Sequence, residues 1–378
     1  MRINLFAPPN NLGTGIHAMN LAQDLEMIGY EICLIPPLGI GNASLKTPKI
    51  EKWLGNRASF VPQVPSLMIF DIAFLTQFSG RPRIGMAVFE TDGFTPIQKA
   101  ALKSCDFLVT PSSWGAQILE ENGIGGAFVV PEGVDTSFFP FAPQARAERE
   151  GRPFTFLHVG KYEERKGTAQ VIRSFSRALA GERARLILHS ANPFLPEMGY
   201  KYLVNDLVQE KFIPASSFHA MTSGNPGAIT WTKGALEIKL SFVEIEFMRD
   251  LYAEADCGIF PSKGEGWNLP LIECLASGVP AIAGNWTGQG EYYRHVPDFL
   301  HLKEFEKETA NDGIWFHGNK GEWFVPSEDE IAAHIQGAFR IVRKFRREPV
   351  WMDAVSKIRE FTWTRAAAQF NAVLTAVV

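Results

Sequence analysis

Short apolar runs alternate with longer amphipathic segments along the first 130 residues of the chain. The amphipathic segments repeat apolar residues every three or four positions, which predicts helices at residues 16–28, 96–103 and 114–121. Runs rich in apolar and β-branched residues predict strands at residues 3–7, 31–35, 67–73, 84–89, 107–110 and 127–130. Strands that alternate with helices favour an α/β fold with parallel sheets covered by helices.

The same alternation begins again near residue 154 and continues to the end of the chain. Between residues 191 and 239, Pro, Gly and Ser are spread out, so we predict only a helix followed by an irregular excursion there. The other segments predicted as strands or helices are 154–159, 168–179, 185–189, 236–242, 247–255, 329–345 and 350–377.

The chain has 378 residues, which favours two domains over a single core. Residues 138–153 are rich in proline and charge and separate the two alternating patterns, so we interpret them as a linker. We therefore predict a first domain at residues 1–145, a second at 146–350 and a terminal helix at 351–378.

The composition is that of an ordinary globular protein, with 46% hydrophobic and 21% charged residues. A net charge of −4 gives no basic field that would attract nucleic acid. No run of 18 apolar residues exists, and residues 1–7 suit a first strand better than a signal peptide, so we expect a cytoplasmic protein. Four cysteines lie in apolar contexts without metal-binding spacing and are expected to be reduced core residues: Cys33, Cys105, Cys257 and Cys274.

The most informative segment runs from Pro261 to Gly284 and contains two glutamates around the start of a helix. Glu265 lies in a turn after an apolar strand, and Pro270 is predicted to open the helix. Glu273 is then expected in the first turn, where the positive helix end favours negative charge and free N–H groups can bind phosphate.

Eight helical steps from Glu265 to Glu273 would span about 12 Å, so the two carboxylates cannot act on a single atom. They could instead hold the two ends of a long ligand whose middle is anionic. A nucleotide diphosphate sugar has that shape.

The E-x7-E spacing in EGWNLPLIE, residues 265–273, resembles the signature of retaining GT-B glycosyltransferases of group one, family four. Typical members have E-G-F-G-x-P-x-x-E, so Trp267 and Asn268 replace the family's Phe-Gly pair. The resemblance implies two Rossmann-like domains whose parallel sheets face each other across a cleft, and a C-terminal helix that crosses back to the first domain. It also implies transfer of a sugar from a nucleotide diphosphate sugar, with the anomeric configuration retained.

A charged loop at residues 160–167, GKYEERKG, is similar to the family's G-R-x4-K-G motif. Lys166 matches directly, Lys161 stands where arginine is usual, and Arg165 is a further candidate. The resemblance implies that these cations stabilise the departing diphosphate, because charge develops there as the donor bond breaks. No metal or other cofactor is then expected. A solvated charged loop is the alternative interpretation.

The resemblance assigns further roles around the donor. Glu273 would hold the ribose, Glu265 would hold the sugar hydroxyls, and the backbone from Trp267 to Leu269 would face the donor. Gly13 and Gly15 open the first predicted helix, where the family's glycine loop touches the donor phosphate. The catalytic candidates are Glu265, Lys166 and Lys161, and the donor-binding candidates are Gly13, Gly15, Lys161, Arg165, Lys166, Glu265, Gly266, Trp267, Asn268, Leu269 and Glu273.

Three residues of the first half are candidates for the acceptor side of the cleft. Glu90 and Asp92 follow the strand predicted at 84–89, and His17 lies on the first predicted helix. For Asp92, a helix cap or a turn is an equally good interpretation. For His17, simple packing is the more common outcome. Many family members have a histidine near residue 90 that this chain lacks.

A basic tract near the end of the chain suggests either a membrane-facing surface or a solvated helix face, and the slightly acidic chain favours the solvated face. The tract consists of Arg340, Arg343, Lys344, Arg346 and Arg347.

Two other classes of protein stay open from the sequence. An NAD-type oxidoreductase would need a G-x-G-x-x-G fingerprint, and the first loop lacks the third glycine. A catalytically silent sugar-binding protein on the same fold would keep the signature without turnover. The nucleotide base, the sugar, the acceptor and the oligomeric state leave no trace in the motifs.

Overall fold

The computed structural model describes residues 1–41, 44–141, 151–219, 229–241, 243–314, 316 and 321–377. Most of the linker predicted at 138–153, and both domain boundaries placed at 145 and 146, lie outside these residues. The two described stretches on either side of the gap after residue 141 each contain a parallel sheet.

The first sheet contains six strands, all parallel. In chain order they are β1 (Arg2–Phe6), β2 (Glu31–Ile35), β3 (Ser66–Met68), β4 (Arg83–Met86), β5 (Phe107–Thr110) and β6 (Phe128–Val129). Their order across the sheet is β2-β1-β3-β4-β5-β6. The α-helices of this part are Gly13–Met27, Pro48–Gly55, Pro96–Lys103 and Ser113–Glu121, with 3-10 turns at Asn56–Ser59 and Ile72–Thr76.

The second sheet contains seven strands: β7 (Phe154–Lys161), β8 (Ala184–Ala191), β9 (Thr230–Lys233), β10 (Leu236–Leu240), β11 (Cys257–Phe260), β12 (Ala281–Gly284) and β13 (His301–Leu302). They are ordered β13-β12-β11-β7-β8-β10-β9, and only the edge strand β9 is antiparallel. The α-helices are Thr168–Ala178, Pro196–Gln209, Met248–Glu254, Leu269–Ala276, Gly290–Tyr293 and Glu328–Phe345, with 3-10 turns at Glu164–Lys166, Ala215–Ser217, Ile245–Phe247 and Asp298–Leu300.

The apolar runs are buried on both faces of the sheets, as expected for parallel strands covered by helices. The strand predicted at 67–73 is shorter, because the chain turns into a 3-10 helix at Ile72. The strand predicted at 236–242 ends at Leu240, and residue 242 lies outside the described part.

A two-stranded antiparallel hairpin, β14 (Phe305–Thr309) and β15 (Glu322–Pro326), was not predicted from the sequence. All five residues of β14 are exposed, so this strand has no buried apolar face that could produce an alternating pattern.

The helix predicted at 350–377 is in fact two helices, Pro349–Ile358 and Trp363–Val377. The second packs along the first helix of the chain, Gly13–Met27. Tyr30 donates a hydrogen bond of 2.6 Å to Asn371, and Thr364 donates one of 2.9 Å to Asp24. The terminal helix therefore crosses back to the first sheet, as predicted.

Part of the basic tract has a structural task. The fully buried carboxylate of Asp256 accepts hydrogen bonds from Arg152, Arg343 and Arg346. Arg346 is itself buried, so the interpretation of the whole tract as a solvated face was wrong for this residue. A buried carboxylate requires such partners, and their long-range pairing cannot be deduced from local charge. Among the described residues, every helix is too short or too polar to cross a lipid bilayer.

Candidate active site

The candidate residues of the second half lie at the switch point of its sheet. Strands β7, β8 and β10 proceed in one direction from the centre, whereas β11, β12 and β13 proceed in the other. Ligands of open α/β sheets bind outside the carboxyl ends of the strands at such a point. Lys161 is the last residue of β7, the loop after β7 carries Arg165 and Lys166, and the loop after β11 carries Glu265, so all of them lie at this position.

Glu265 lies at the centre of a buried charge cluster. Its Oε2 accepts a hydrogen bond of 2.8 Å from Arg165, and its Oε1 accepts one of 2.5 Å from Lys166. Burial alone would raise the pKa of Glu265, but the two cations more than offset it and lower the pKa to about 2. Glu265 is therefore ionised, and the prediction that Lys166 and Glu265 share one site is consistent with their contact.

Arg165 is a support for the carboxylates of the cluster. Besides Glu265 it binds the carbonyl of Gly264 at 2.7 Å and the carboxylate of Glu163 at 2.7 Å, and only 4% of its side chain is exposed. Lys161 differs, because 37% of its side chain is exposed and its Nζ lies 3.4 Å from Glu163. Lys161 is thus the more accessible cation of the loop.

Glu273 has a very different environment from Glu265. Its Oε2 accepts a hydrogen bond of 2.9 Å from the hydroxyl of Tyr252, and its side chain is partly exposed. Desolvation raises the pKa of Glu273 to about 8, although the Tyr252 hydrogen bond acts in the opposite direction. One carboxyl of the signature is therefore ionised and the other is largely protonated at neutral pH.

The helix that carries Glu273 begins at Leu269, one residue before the predicted start. Asn268 is its N-cap residue and has a left-handed conformation, with φ 73°. Glu273 consequently lies in the second turn, and the prediction that placed it in the first turn was wrong. The left-handed cap also explains why the family pattern has glycine at this position.

The side chains of Trp267 and Asn268 do not face open space. Trp267 is 2% exposed, and its ring packs against Tyr292 and Phe361 at centroid distances of 5.0 and 5.8 Å. The Asn268 amide donates a hydrogen bond of 2.8 Å to Gln289. Because these two side chains are engaged inside the protein, a ligand of the predicted donor-binding stretch Trp267–Leu269 would contact its backbone.

The loop that carries Glu265 contacts the first half of the chain directly. A Cβ atom on Gly264 would lie 2.1 Å from the carbonyl oxygen of Glu90, and one on Gly266 would lie 2.3 Å from Val88. Only glycine allows such close approach. The carboxylate of Glu90 lies 3.8 Å from Arg165, so the structure places Glu90 beside the charge cluster.

Asp92 bridges the two halves of the chain through the hairpin. It accepts hydrogen bonds of 2.7 Å from the Glu322 N–H and 3.0 Å from Lys307. The following helix is capped by Thr95 instead. The structure thus places Asp92 in a contact between the two halves, not on an open acceptor-side surface.

Gly13 and Gly15 lie at the start of the first helix, with Gly13 exposed and Gly15 buried. His17, one turn further on, is 3% exposed. Its Nδ1 lies 3.4 Å from Glu132, and its ring lies 5.6 Å from that of Trp363. The contact with Trp363 packs His17 against the terminal helix, so the packing interpretation of His17 fits its surroundings.

Sequence reasoning missed three residues that shape the signature loop. Thr287 accepts a hydrogen bond of 3.1 Å from the Glu265 N–H. Gln289 binds Asn268, and the Tyr292 hydroxyl donates to the carbonyls of Trp267 and Asn268, both at 2.9 Å. The T-G-Q-G run after β12 was the available signal, since glycine-rich turns after buried strands often line sites.

Three features of this structure define the GT-B class of proteins. They are the two sheets with this strand order, the site at the switch point of the second sheet, and the terminal helix that crosses back to the first. Solved structures over nearly the whole chain agree with this class. Sucrose-phosphate synthase of Thermosynechococcus elongatus has a TM-score of 0.66 at 14% identity, and the match covers 100% of this chain and 98% of that one. Anabaena HepE in complex with UDP-glucose has a TM-score of 0.65 at 13% identity, with 99% of each chain covered.

Residues 153–336 match the model of the family described as Glycosyl transferases group 1. This part of the chain is therefore similar to a group-one glycosyltransferase domain, as the signature indicated. A curated relative is the serotype-specific mannosyltransferase WbdA of Escherichia coli, 26% identical over 187 residues. That match covers 49% of this chain but only 18% of the relative's length.

Proposed function

We propose that this protein transfers a sugar from a nucleotide diphosphate sugar to an acceptor, with retention of the anomeric configuration. The observation that carries the proposal is the pair of signature glutamates, which lie on one loop and helix at the switch point but in opposite electrostatic environments. A long ligand with chemically different ends suits such a pair. The matching family model favours this activity over the oxidoreductase alternative.

In the proposed complex, Glu273 binds the ribose hydroxyls and Glu265 binds hydroxyls of the transferred sugar. Lys161 and Lys166 bind the diphosphate. The 2.5 Å contact between Lys166 and Glu265 implies a competition, because a bound diphosphate attracts Lys166 away from the carboxylate. Donor binding would then free one Glu265 oxygen for a sugar hydroxyl.

Catalysis in this proposal depends on charge at the leaving group. The bond between the anomeric carbon and the diphosphate oxygen breaks, and the acceptor oxygen bonds to the same face of that carbon. The acceptor proton leaves with the nucleotide diphosphate or to solvent. Lys161 and Lys166 stabilise the negative charge that develops on the diphosphate. Arg165 keeps Glu265 and Glu163 in place, since it is buried and bound to both.

The donor is proposed to be a UDP- or GDP-hexose. The support is the UDP-glucose bound in the structure of HepE and the mannosyltransferase activity named for WbdA. We propose that no metal takes part, because the lysines supply the charge that a metal would supply. Within the described residues, no three metal-ligating side chains cluster, but the role of metal stays a prediction.

Nucleotide release from a donor panel tests the proposal. UDP-glucose, UDP-galactose, UDP-N-acetylglucosamine, GDP-mannose and ADP-glucose are each incubated with the protein, and free nucleotide diphosphate is measured by chromatography. We expect release from one donor, loss of release in Glu265→Gln, and normal release in the control Glu164→Gln. Glu164 is a matched control because it lies on the same charged loop but is half exposed and pairs with Lys263.

A thermal unfolding measurement beside the release assay distinguishes the silent-binding alternative. In that case a nucleotide diphosphate raises the thermal unfolding midpoint by mass action, but no donor is consumed. Neither binding nor release with any of the five donors would overturn the proposed function.

A further inference from the structure

Asn268 has a backbone conformation that normally requires glycine. Its φ of 73° lies in the left-handed region, where a side chain crowds the following carbonyl. Asparagine tolerates this region better than most residues, but it still needs support. Something in the surrounding structure must therefore hold the residue in place.

Gln289 supplies this support. It is fully buried, and its Oε1 accepts a hydrogen bond of 2.8 Å from the Asn268 amide. Its own amide donates one of 2.6 Å to the carbonyl of Gly284, at the end of β12. Through Gln289, the Asn268 side chain is thus connected to the end of β12, and only 6% of Asn268 is exposed.

Tyr292 fixes the direction of the two peptide planes beside Asn268. Its hydroxyl donates to the carbonyls of both Trp267 and Asn268 at 2.9 Å. In a trans peptide the N–H points opposite to the carbonyl. The N–H groups of Asn268 and Leu269 therefore both point away from the buried Tyr292. Within the described residues, neither N–H has a hydrogen-bond acceptor.

We propose that Gln289 and Tyr292 are positioning residues that aim the N–H groups of Asn268 and Leu269 at the transferred sugar. The Asn268 side chain, which stands where the family has glycine, does not touch the donor. The backbone N–H groups, and not this side chain, therefore contact the sugar. This inference rests on the proposed function, because it assigns the sugar to these two donors. It explains why glutamine and asparagine occur together in this chain.

Four variants test the proposal: Asn268→Ala, Asn268→Gly, Gln289→Leu and the double variant Asn268→Gly/Gln289→Leu. We expect Asn268→Ala to lower kcat/KM for the donor by about tenfold, because alanine disfavours a positive φ and cannot bind Gln289. Asn268→Gly should retain at least about fivefold more kcat/KM than Asn268→Ala, since glycine adopts this φ freely.

Gln289→Leu leaves the buried Asn268 amide without an acceptor, so we expect kcat/KM to fall by about tenfold or more. The double variant removes that amide, and it should be more active than Gln289→Leu alone. Affinity for the free nucleotide diphosphate, measured by calorimetry, should fall by less than about twofold in Asn268→Ala, because this ligand lacks the sugar. A purely structural role would not separate the two measurements.

Lys211→Gly is the matched control, because Lys211 also has a positive φ, 63°, on an exposed turn outside the site. It should affect the unfolding midpoint only. Two results would show that the Asn268 side chain contacts the sugar and would overturn the proposal. The first is an equal loss of kcat/KM in Asn268→Ala and Asn268→Gly. The second is a changed ratio of kcat/KM between two donors in Asn268→Gly. A double variant no better than Gln289→Leu would overturn the proposal as well.

Failure of the proposed function gives a distinct result. If the wild type consumes no donor, the proposed function fails and the assignment of the N–H groups to a sugar fails with it. The contribution of the Asn268–Gln289 hydrogen bond to stability would still be measurable, as the coupling between Asn268→Gly and Gln289→Leu in the unfolding midpoint.

Discussion

Replacement of Glu273 by glutamine should stabilise the protein and weaken its binding of nucleotide. Glutamine keeps the size of the side chain and an acceptor for Tyr252 but cannot ionise. In the wild type, desolvation raises the pKa of Glu273 from 4.5 to about 8. Between these two values the folded protein binds more protons than the unfolded chain, so the stability of the wild type falls as pH rises.

The magnitude follows from the two pKa values. The carboxyl destabilises the fold by about 1 kcal/mol at pH 5 and by about 4 kcal/mol at pH 8. Because the side chain is partly exposed, screening by solvent makes the larger figure an upper value. We expect Glu273→Gln to gain about 1–4 kcal/mol over the wild type at pH 8 and less than about 1 kcal/mol at pH 5.

Urea unfolding of both proteins without ligand, at pH 5, 6.5 and 8, measures this difference. Glu182→Gln, at an exposed position, is the control and should differ from the wild type by a constant amount. Calorimetry with the preferred nucleotide diphosphate at a pH above 8, where Glu273 is ionised, should show weaker binding to Glu273→Gln, by about 1.5–3 kcal/mol, the range for a charged hydrogen bond. A stability difference that does not change with pH would refute the reasoning.

Four further perturbations have distinct expected outcomes. Glu265→Ala should abolish donor turnover. Its affinity for nucleotide diphosphate, measured by calorimetry, should persist or strengthen, because Lys166 loses its partner. An equal loss of affinity in Glu265→Ala and Glu273→Ala would contradict this division of roles. Lys166→Ala should lower kcat by about 10²–10³ with a smaller change in KM in steady-state kinetics, and a normal kcat would mean that Lys166 has only a structural role beside Glu265. Lys161→Arg, which restores the family residue, should be tolerated in the same assay. Asp256→Ala should lower the stability in urea by about 3–5 kcal/mol, since it removes the buried carboxylate that Arg152, Arg343 and Arg346 share, and a change below about 1 kcal/mol would argue against that network.

The sequence predicted those parts of the fold and site that depend on local pattern. The apolar runs are the parallel strands, because burial on both faces leaves continuous apolar segments. The E-x7-E segment lies where its turn and helix signals indicated, although the helix begins at Leu269 and not at Pro270. A one-residue difference of this kind arises because the left-handed cap at Asn268 has no side-chain signal.

Other parts depend on contacts between distant positions and could not be read locally. The exposed strand β14 has no apolar alternation, and its hairpin is held by contacts such as that of Lys307 with Asp92. Arg165 and Lys166 are adjacent in sequence, yet the first binds Glu163 as well as Oε2 of Glu265, whereas the second binds Oε1 of Glu265. Only the folded arrangement separates their roles.

Proton NMR of a donor during turnover tests the central claim most directly. A UDP- or GDP-hexose is followed with the wild type and with Glu265→Gln, and the anomeric signals of donor and product are recorded over time. We predict that the donor signal decays with the wild type alone, that nucleotide diphosphate appears in equal amount, and that the first product has the donor's anomeric configuration. Donor signals that persist with every nucleotide sugar, or a first product with the inverted configuration, would contradict the account.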